Sequence, residues 1–250
     1  MKNYLALFSC MLLLSCTITK TTPPSTSTNY QQKDWESTEV ISRNKLPTRA
    51  APYSYPSTQA AATLNREQSD YLNLNGQWQF NFQYDDEQIS TDFIAVDYDA
   101  SDWSNITVPS NVELLGYDIP FYTNTQQPFY SNGGNSPLPD TTPLISRNNP
   151  VSKYIRHFEL PKTFEDKQII LHFGGVTSAF YLWVNGHKVG YSQGSRLPAE
   201  FDVTDYVNSG KNKIALQVMR WSDGSYLEAQ DMWKLSGIHR EVLLLAQPKV

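Results

Sequence analysis

The densest concentration of chemically competent side chains lies in residues 220–233, which read RWSDGSYLEAQDMW. Three carboxylates (Asp223, Glu228, Asp231) and three rings (Trp221, Tyr226, Trp233) share these fourteen residues. Such a set suits two chemistries. A pair of carboxylates held about 5–5.5 Å apart can serve as general acid and nucleophile in a retaining glycosidase. Alternatively, carboxylate oxygens can accept hydroxyl protons or hold a hard cation while a Trp offers its face to a ring. A surface loop with solvated carboxylates and core-filling rings has the same spacing. The residues alone leave all three open.

Other chemistries are absent. His157, His172, His187 and His239 are scattered, and no HxxxH or CxxC pattern supplies converging zinc ligands. No G-x-S-x-G elbow presents a nucleophilic serine. Gly174-Gly175 lacks the glycine spacing and following helix of a phosphate-cradling loop. The 250 residues carry 20 Lys+Arg against 25 Asp+Glu, a formal net charge of −5, with no basic run. A nucleic-acid partner is therefore not expected, since displacing counterions from phosphates needs a positive stripe.

The elements that must position residues 220–233 are strands. Residues 76–84 alternate strictly, with Trp78, Phe80, Phe82 and Tyr84 on one side and Gln77, Gln79, Asn81 and Gln83 on the other. A period of two predicts a half-buried strand. Further strands are expected at 154–160, 168–173, 179–184, 188–192, 213–220 and 238–246. Asn185-Gly186, between two of them, is the strongest short-range hairpin signal, because both turn positions tolerate positive φ. No long stretch has helical spacing, and no regular helices separate the strands, which excludes a parallel βαβ design. The expected fold is an all-β antiparallel sandwich. Residues 127–150, with five Pro and two Gly, form a loop long enough to suggest function.

The N-terminal quarter has another character. Lys2 is followed by an apolar run to Leu14, too short to span a bilayer, whose exit reads Leu13-Leu14-Ser15-Cys16. This resembles the bacterial lipobox, which predicts a signal peptide over 1–15, acylation of Cys16, export across the inner membrane and display of a lipid-anchored protein on the periplasmic or cell-surface face. The other cysteine, Cys10, would be lost with the leader, leaving no disulfide. Ten of the fourteen residues 17–30 are Thr, Ser or Pro, so 16–37 is expected to be a flexible tether. An extended arm over 38–71, with a short helical piece near 60–71, would lead into a domain spanning 72–250.

The segment RWSDGSYLEAQDMWKLSGIHREV (220–242) closely resembles the end of the first domain of bacterial β-galactosidases of glycoside hydrolase family 2. Supporting it in the right order are LNGQWQF (74–80), VPSNVELLGYDIPFYTN (108–124) and FGGVTSAFYLWVNGHKVGYSQGSRLPAEFD (173–202). The resemblance covers about residues 64–247 and implies a jelly-roll β-sandwich that binds sugar without catalysing. In the family, the catalytic glutamates sit in a downstream (β/α)8 barrel, accompanied by immunoglobulin-like domains, so this chain is expected to be inactive alone. By the same resemblance, Asn124 hydrogen-bonds the galactosyl ring, Asp231 contacts a substrate hydroxyl and ligates sodium, and Gln193 and Asp223 help hold a peripheral magnesium ion. The arm and the 127–150 loop depart from the family pattern. The competing expectation is a free-standing, lipid-anchored carbohydrate-binding module; a third is a purely structural or assembly role.

Overall fold

Strand formation follows from where the apolar side chains can be buried. The computed structural model describes residues 33–50, 53–84, 89–122, 149–228 and 230–249. In chain order the strands are β1 Ser42–Arg43, β2 Tyr71–Asn73, β3 Gly76–Gln83, β4 Ser104–Val108, β5 Phe121–Tyr122, β6 Val151–Leu160, β7 Gln168–Phe173, β8 Val176–Thr177, β9 Ala179–Val184, β10 His187–Gln193, β11 Ala199–Asp202, β12 Gly210–Met219, β13 Trp233–Lys234, β14 Gly237–Ile238 and β15 Val242–Gln247. A seven-stranded antiparallel sheet has the order β1-β10-β9-β12-β6-β3-β4, and a four-stranded one the order β11-β7-β15-β2. Two small pairs, β13·β5 and β14·β8, lie outside them.

The two large sheets pack face to face, as expected of a jelly-roll β-sandwich. Trp78, Phe80 and Tyr154 from the larger sheet meet Leu171, Phe173, Phe201 and Leu244 from the smaller one in a single buried cluster. The outer faces are covered as well. A 3-10 turn at Asp92–Ile94 places Phe93 over Ile155, Trp183 and Ala215. On the smaller sheet, Leu46, Tyr53 and Tyr71 pack over Ile170, Leu243 and Leu245. Strands covered on both sides read as continuous apolar runs rather than alternations, which explains IIL in β7 and VLLLA in β15. The Asn185-Gly186 turn joins β9 to β10 with φ of 49° and 83°, as a two-residue hairpin of that sequence requires.

Several boundaries differ from the sequence expectation. The predicted strand at 238–246 is two strands, because β14 pairs with β8 while β15 enters the smaller sheet. The expected helical piece is α1, Thr58–Ala62, capped by the Ser57 hydroxyl, which accepts from Ala60 N at 3.1 Å. A 3-10 turn at Arg66–Gln68 follows it, and Tyr71 already belongs to β2.

Residues 33–37, assigned by composition to the tether, pack on the sandwich instead. Trp35 is 4% exposed, among Val151, Ala179, Tyr191 and Met219. The neighbouring Asp34 carboxylate takes Arg43 Nε and Nη2 at 2.9 and 2.7 Å and the Tyr181 hydroxyl at 2.8 Å. The Arg43 bonds, foremost, hold the Asp34 carboxyl below its ordinary range. Composition identified the polar surroundings but gave no weight to one large ring able to plug the sheet.

Candidate functional site

The 220–233 segment leaves the end of β12 and crosses one end of the sandwich. Arg220 N is anchored to Pro150 O at 2.9 Å, and Asn149 brackets Trp221, accepting from its N–H at 2.9 Å and donating to its carbonyl at 2.8 Å. A single helical turn, α2 (Gly224–Leu227), then reverses the chain. It ends at Glu228, whose carboxylate accepts from both the amide, at 2.7 Å, and the hydroxyl of Ser195. The chain next runs through Asp231 into β13.

Asp231 is exposed and accepts a hydrogen bond from the Tyr122 hydroxyl, which pushes the Tyr122 phenol above its ordinary pKa. This contact follows from the pairing of β5 with β13, in which Tyr122 faces Trp233 with ring centroids 5.7 Å apart. Asn124 lies two positions beyond β5 and outside the described residues, as do Cys16 and nearly all of the 127–150 loop. An open hollow beside Asp231 is lined by Asn111, Tyr122, Arg196, Trp233 and His239. Burial pushes the His239 imidazole down to about 4, so at neutral pH it contributes no charge there. The hollow therefore joins a carboxylate, the Arg196 guanidinium, a phenol, an amide and an exposed indole, a combination suited to a polar ring with hydroxyl groups.

Gln193 and Asp223 meet inside the protein. Gln193 Nε2 donates to Asp223 Oδ2 at 3.2 Å while Gln193 Oε1 accepts from the Tyr191 hydroxyl at 2.6 Å. Burial raises the Asp223 carboxyl pKa, opposed by the bond from Gln193. Its Oδ1 is buried without a hydrogen-bond partner, and its backbone N–H bonds Trp35 O at 2.8 Å. The unpaired Asp223 Oδ1 is an oxygen donor of the kind a hard cation takes, and Gln193 Oε1 would join it only by releasing the Tyr191 hydroxyl. Asp231 fits sodium by donor type, with one carboxylate oxygen engaged by Tyr122 and any further ligands supplied from elsewhere. Among the described residues, no three His, Cys, Asp or Glu side chains converge as a metal cluster.

Three residues around this end stood inside quoted sequence segments but were given no role there. Tyr122 carried no signal beyond its ring. Glu113 and Arg220 are buried charges whose partners are remote in sequence. Glu113 receives Ser236 N at 2.8 and 3.0 Å and the Ser236 hydroxyl at 2.5 Å. No periodicity announces such pairs.

A β-sandwich with a polar, aromatic end is suited to a carbohydrate-binding domain, and residues 71–248 match the family described as "Glycosyl hydrolases family 2, sugar binding domain". The chain belongs to that family. It is 44% identical over 219 residues to a β-galactosidase of Psychromonas ingrahamii, covering 87% of this chain and 20% of that protein. A Yersinia enterocolitica β-galactosidase is 43% identical over 228 residues, covering 91% and 21%. The chain thus spans about a fifth of the length of these relatives. Among solved structures, a family 2 β-glucuronidase aligns with a TM-score of 0.52 at 21% identity, over 72% of this chain and 18% of that one. A Bacteroides uniformis β-glucuronidase gives 0.51 at 21% identity, over 71% and 18%. At such identity these two show the fold alone.

Proposed function

We propose that this chain is the non-catalytic sugar-binding domain of a family 2 β-galactosidase, an enzyme hydrolysing terminal β-D-galactosides. In this reading the chain lends Asn124 and Asp231 to a pocket completed by a catalytic barrel. The observation that carries it is the β5·β13 pairing, which ties the strand leading to Asn124 directly to Asp231. An amide can donate to one sugar hydroxyl and accept from another, while a carboxylate accepts from a hydroxyl and suits a sodium ion. Gln193 and Asp223 would hold magnesium, which would neutralise a buried carboxylate and tie the arm at Trp35 to the segment carrying Asp231.

The pocket needs a partner. Two or three hydrogen bonds at about 0.5–1.5 kcal/mol each total about 1–4.5 kcal/mol, which at best reaches the millimolar end of the roughly 4–8 kcal/mol of millimolar-to-micromolar binding. Nor do Glu113 and Glu228 offer a free acid–nucleophile pair, since the first is engaged by Ser236 and the second by Ser195. Around the same end, Leu114, Leu115, Ile119, Phe121, Met232 and Trp233 are exposed, an apolar rim suited to a packed neighbouring domain.

The test is to exchange residues 33–249 for the matching segment of the Psychromonas ingrahamii β-galactosidase. The exchange should preserve hydrolysis of a nitrophenyl galactoside, and Asp231→Ala should then raise KM and abolish the response to sodium. The 250-residue chain alone should show no turnover. Turnover by the chain alone, or millimolar-or-better galactoside binding by it in calorimetry, would replace this reading with a self-sufficient enzyme or a free-standing binding module. The lipid anchor is part of the proposal: radiolabelled palmitate should enter the chain in bacteria and fail to enter Cys16→Ser. Among the described residues, no helix is long and apolar enough to cross a membrane.

A further inference from the structure

The β5·β13 pair is too small to hold itself. It has two residues per strand, and its paired side chains stand largely in solvent, Tyr122 at 47% and Trp233 at 57% exposure. Even a complete two-stranded hairpin is only marginally stable in water. Yet this pair sets the position of Asp231 and the direction in which the chain departs toward Asn124. Something less mobile must fix it.

Ser236, just past β13, is held by Val112 N and Asn111 Nδ2, each 3.2 Å from its carbonyl, and among the described residues the side chain that reaches both β13 and the approach to β5 is the Arg220 guanidinium. Arg220 directly follows β12, the central strand paired with both β6 and β9, and its side chain is 8% exposed. Nη1 forms an ion pair with Asp118, and Nη2 donates to Ile119 O at 2.9 Å, both on the approach to β5. The same Nη2 reaches Lys234 O in β13 at 3.4 Å. Nε lies 3.6 Å from Glu113 Oε1, and Glu113 in turn grips Ser236 just beyond β13. The Trp221 ring lies alongside, 4.9 Å from the guanidinium carbon. One planar group thus bridges the segments before β5 and after β12 to β13 itself, a task for a rigid fork of five donors rather than a point charge.

We infer that Arg220 is a positioning residue that holds β5 and β13 in register and thereby sets the placement of the galactoside-binding groups. This rests on the proposed sugar-binding role of Asp231. Arg220 is absent from the lining of the hollow beside Asp231 and lines the adjoining pocket with Trp221, Ser225 and Trp233, so its effect travels through the two strands and not through contact with the ligand.

Hydrogen exchange on the complete 250-residue chain tests the structural half. In Arg220→Lys, exchange in 119–122 and 231–236 should rise about tenfold or more while β6 and β12 keep their protection, and Asp118→Asn should move the same segments by less. Unchanged exchange in both variants would overturn the inference. So would a uniform rise throughout in both, since that would mark a general stabiliser. The functional half is read in the exchanged galactosidase described above. Arg220→Lys should raise KM by roughly ten- to a hundredfold, the cost of displacing a binding group by about 1 Å, with a smaller change in kcat. If Asp231→Ala raises KM and Arg220→Lys leaves it alone, the positioning role fails by itself. If Asp231→Ala has no effect on KM, the sugar-binding reading fails, and the positioning role falls with it even where exchange responds.

Discussion

Replacing Trp35 by Ala isolates the finding that the ordered domain begins before residue 38. An aromatic side chain of this kind buries about 150–250 Å², which at about 25 cal/mol per Å² amounts to roughly 4–6 kcal/mol. That is an upper bound, because the unfolded chain already hides part of the area. The loss includes the edge-on contact with Tyr181, at 5.9 Å between centroids and 72° between planes. An opposing contribution comes from the indole N–H, which is buried without a hydrogen-bond partner. Deleting it returns about 1–3 kcal/mol. The net expectation is a destabilisation of about 2–4 kcal/mol. Trp35→Phe removes the orphaned N–H while keeping most of the packing, and should cost less than about 1.5 kcal/mol. Urea denaturation of the complete chain, followed by tryptophan fluorescence with circular dichroism as a check, reads both variants. The midpoint should fall for Trp35→Ala with an unchanged slope, and its Tm should drop by about 5–15 °C. A change below about 1 kcal/mol for Trp35→Ala would refute the reasoning and return residues 33–37 to the tether.

Three further outcomes follow from other parts of the molecule. Glu113→Gln leaves Arg220 short of one anionic neighbour and sets an amide against the Ser236 donors, so it should cost about 3–5 kcal/mol in the same urea assay; a cost under 1 kcal/mol would show that the network is not tightly held. Gly190→Ala would put a Cβ 2.5 Å from Arg43 O and 2.6 Å from the Phe201 ring, and should destabilise by about 1–3 kcal/mol while opening residues 43–50 to limited proteolysis. Finally, burial holds the His239 imidazole down to about 4, whereas the unfolded chain takes up that proton near 6.5. The unfolded state therefore binds more protons between these values, so stability from this group is complete above pH 6.5 and declines as pH falls toward 4. His239→Phe should flatten the stability profile between pH 6.5 and 5; an unaltered slope there would disprove the assignment.

The sequence was most informative where one physical rule governed a segment. Residues 76–83 alternate because one face of β3 enters the inter-sheet core, and Trp78 and Phe80 are buried as the pattern required. Tyr84 keeps the alternation but lies past the strand end, 67% exposed, because period two reports direction and not where the sandwich stops. The Asn185-Gly186 turn was legible since its backbone demands those residues. By contrast, β1, β5 and β13 are two residues long, and β11 reads AEFD with no pattern to detect. Their existence depends on neighbours far away in the chain. The same holds for the site: the resemblance singled out Asp231, and Gln193 and Asp223 do meet, but the contact between Tyr122 and Asp231 and the Arg220 bridge arise only when segments about a hundred residues apart come together.

Ser42 and Arg43 pair with Ser192 and Tyr191 along the outermost rim of the larger sheet. Gly190 leaves room for that crossing, since any side chain there would strike the passing backbone. Without these two residues, β10 would offer a row of unsatisfied amides and carbonyls to whatever extended polypeptide came near. The arm is thus also a guard against self-association: clipping it after residue 44 should turn a covered rim into a template on which further copies could add, strand upon strand.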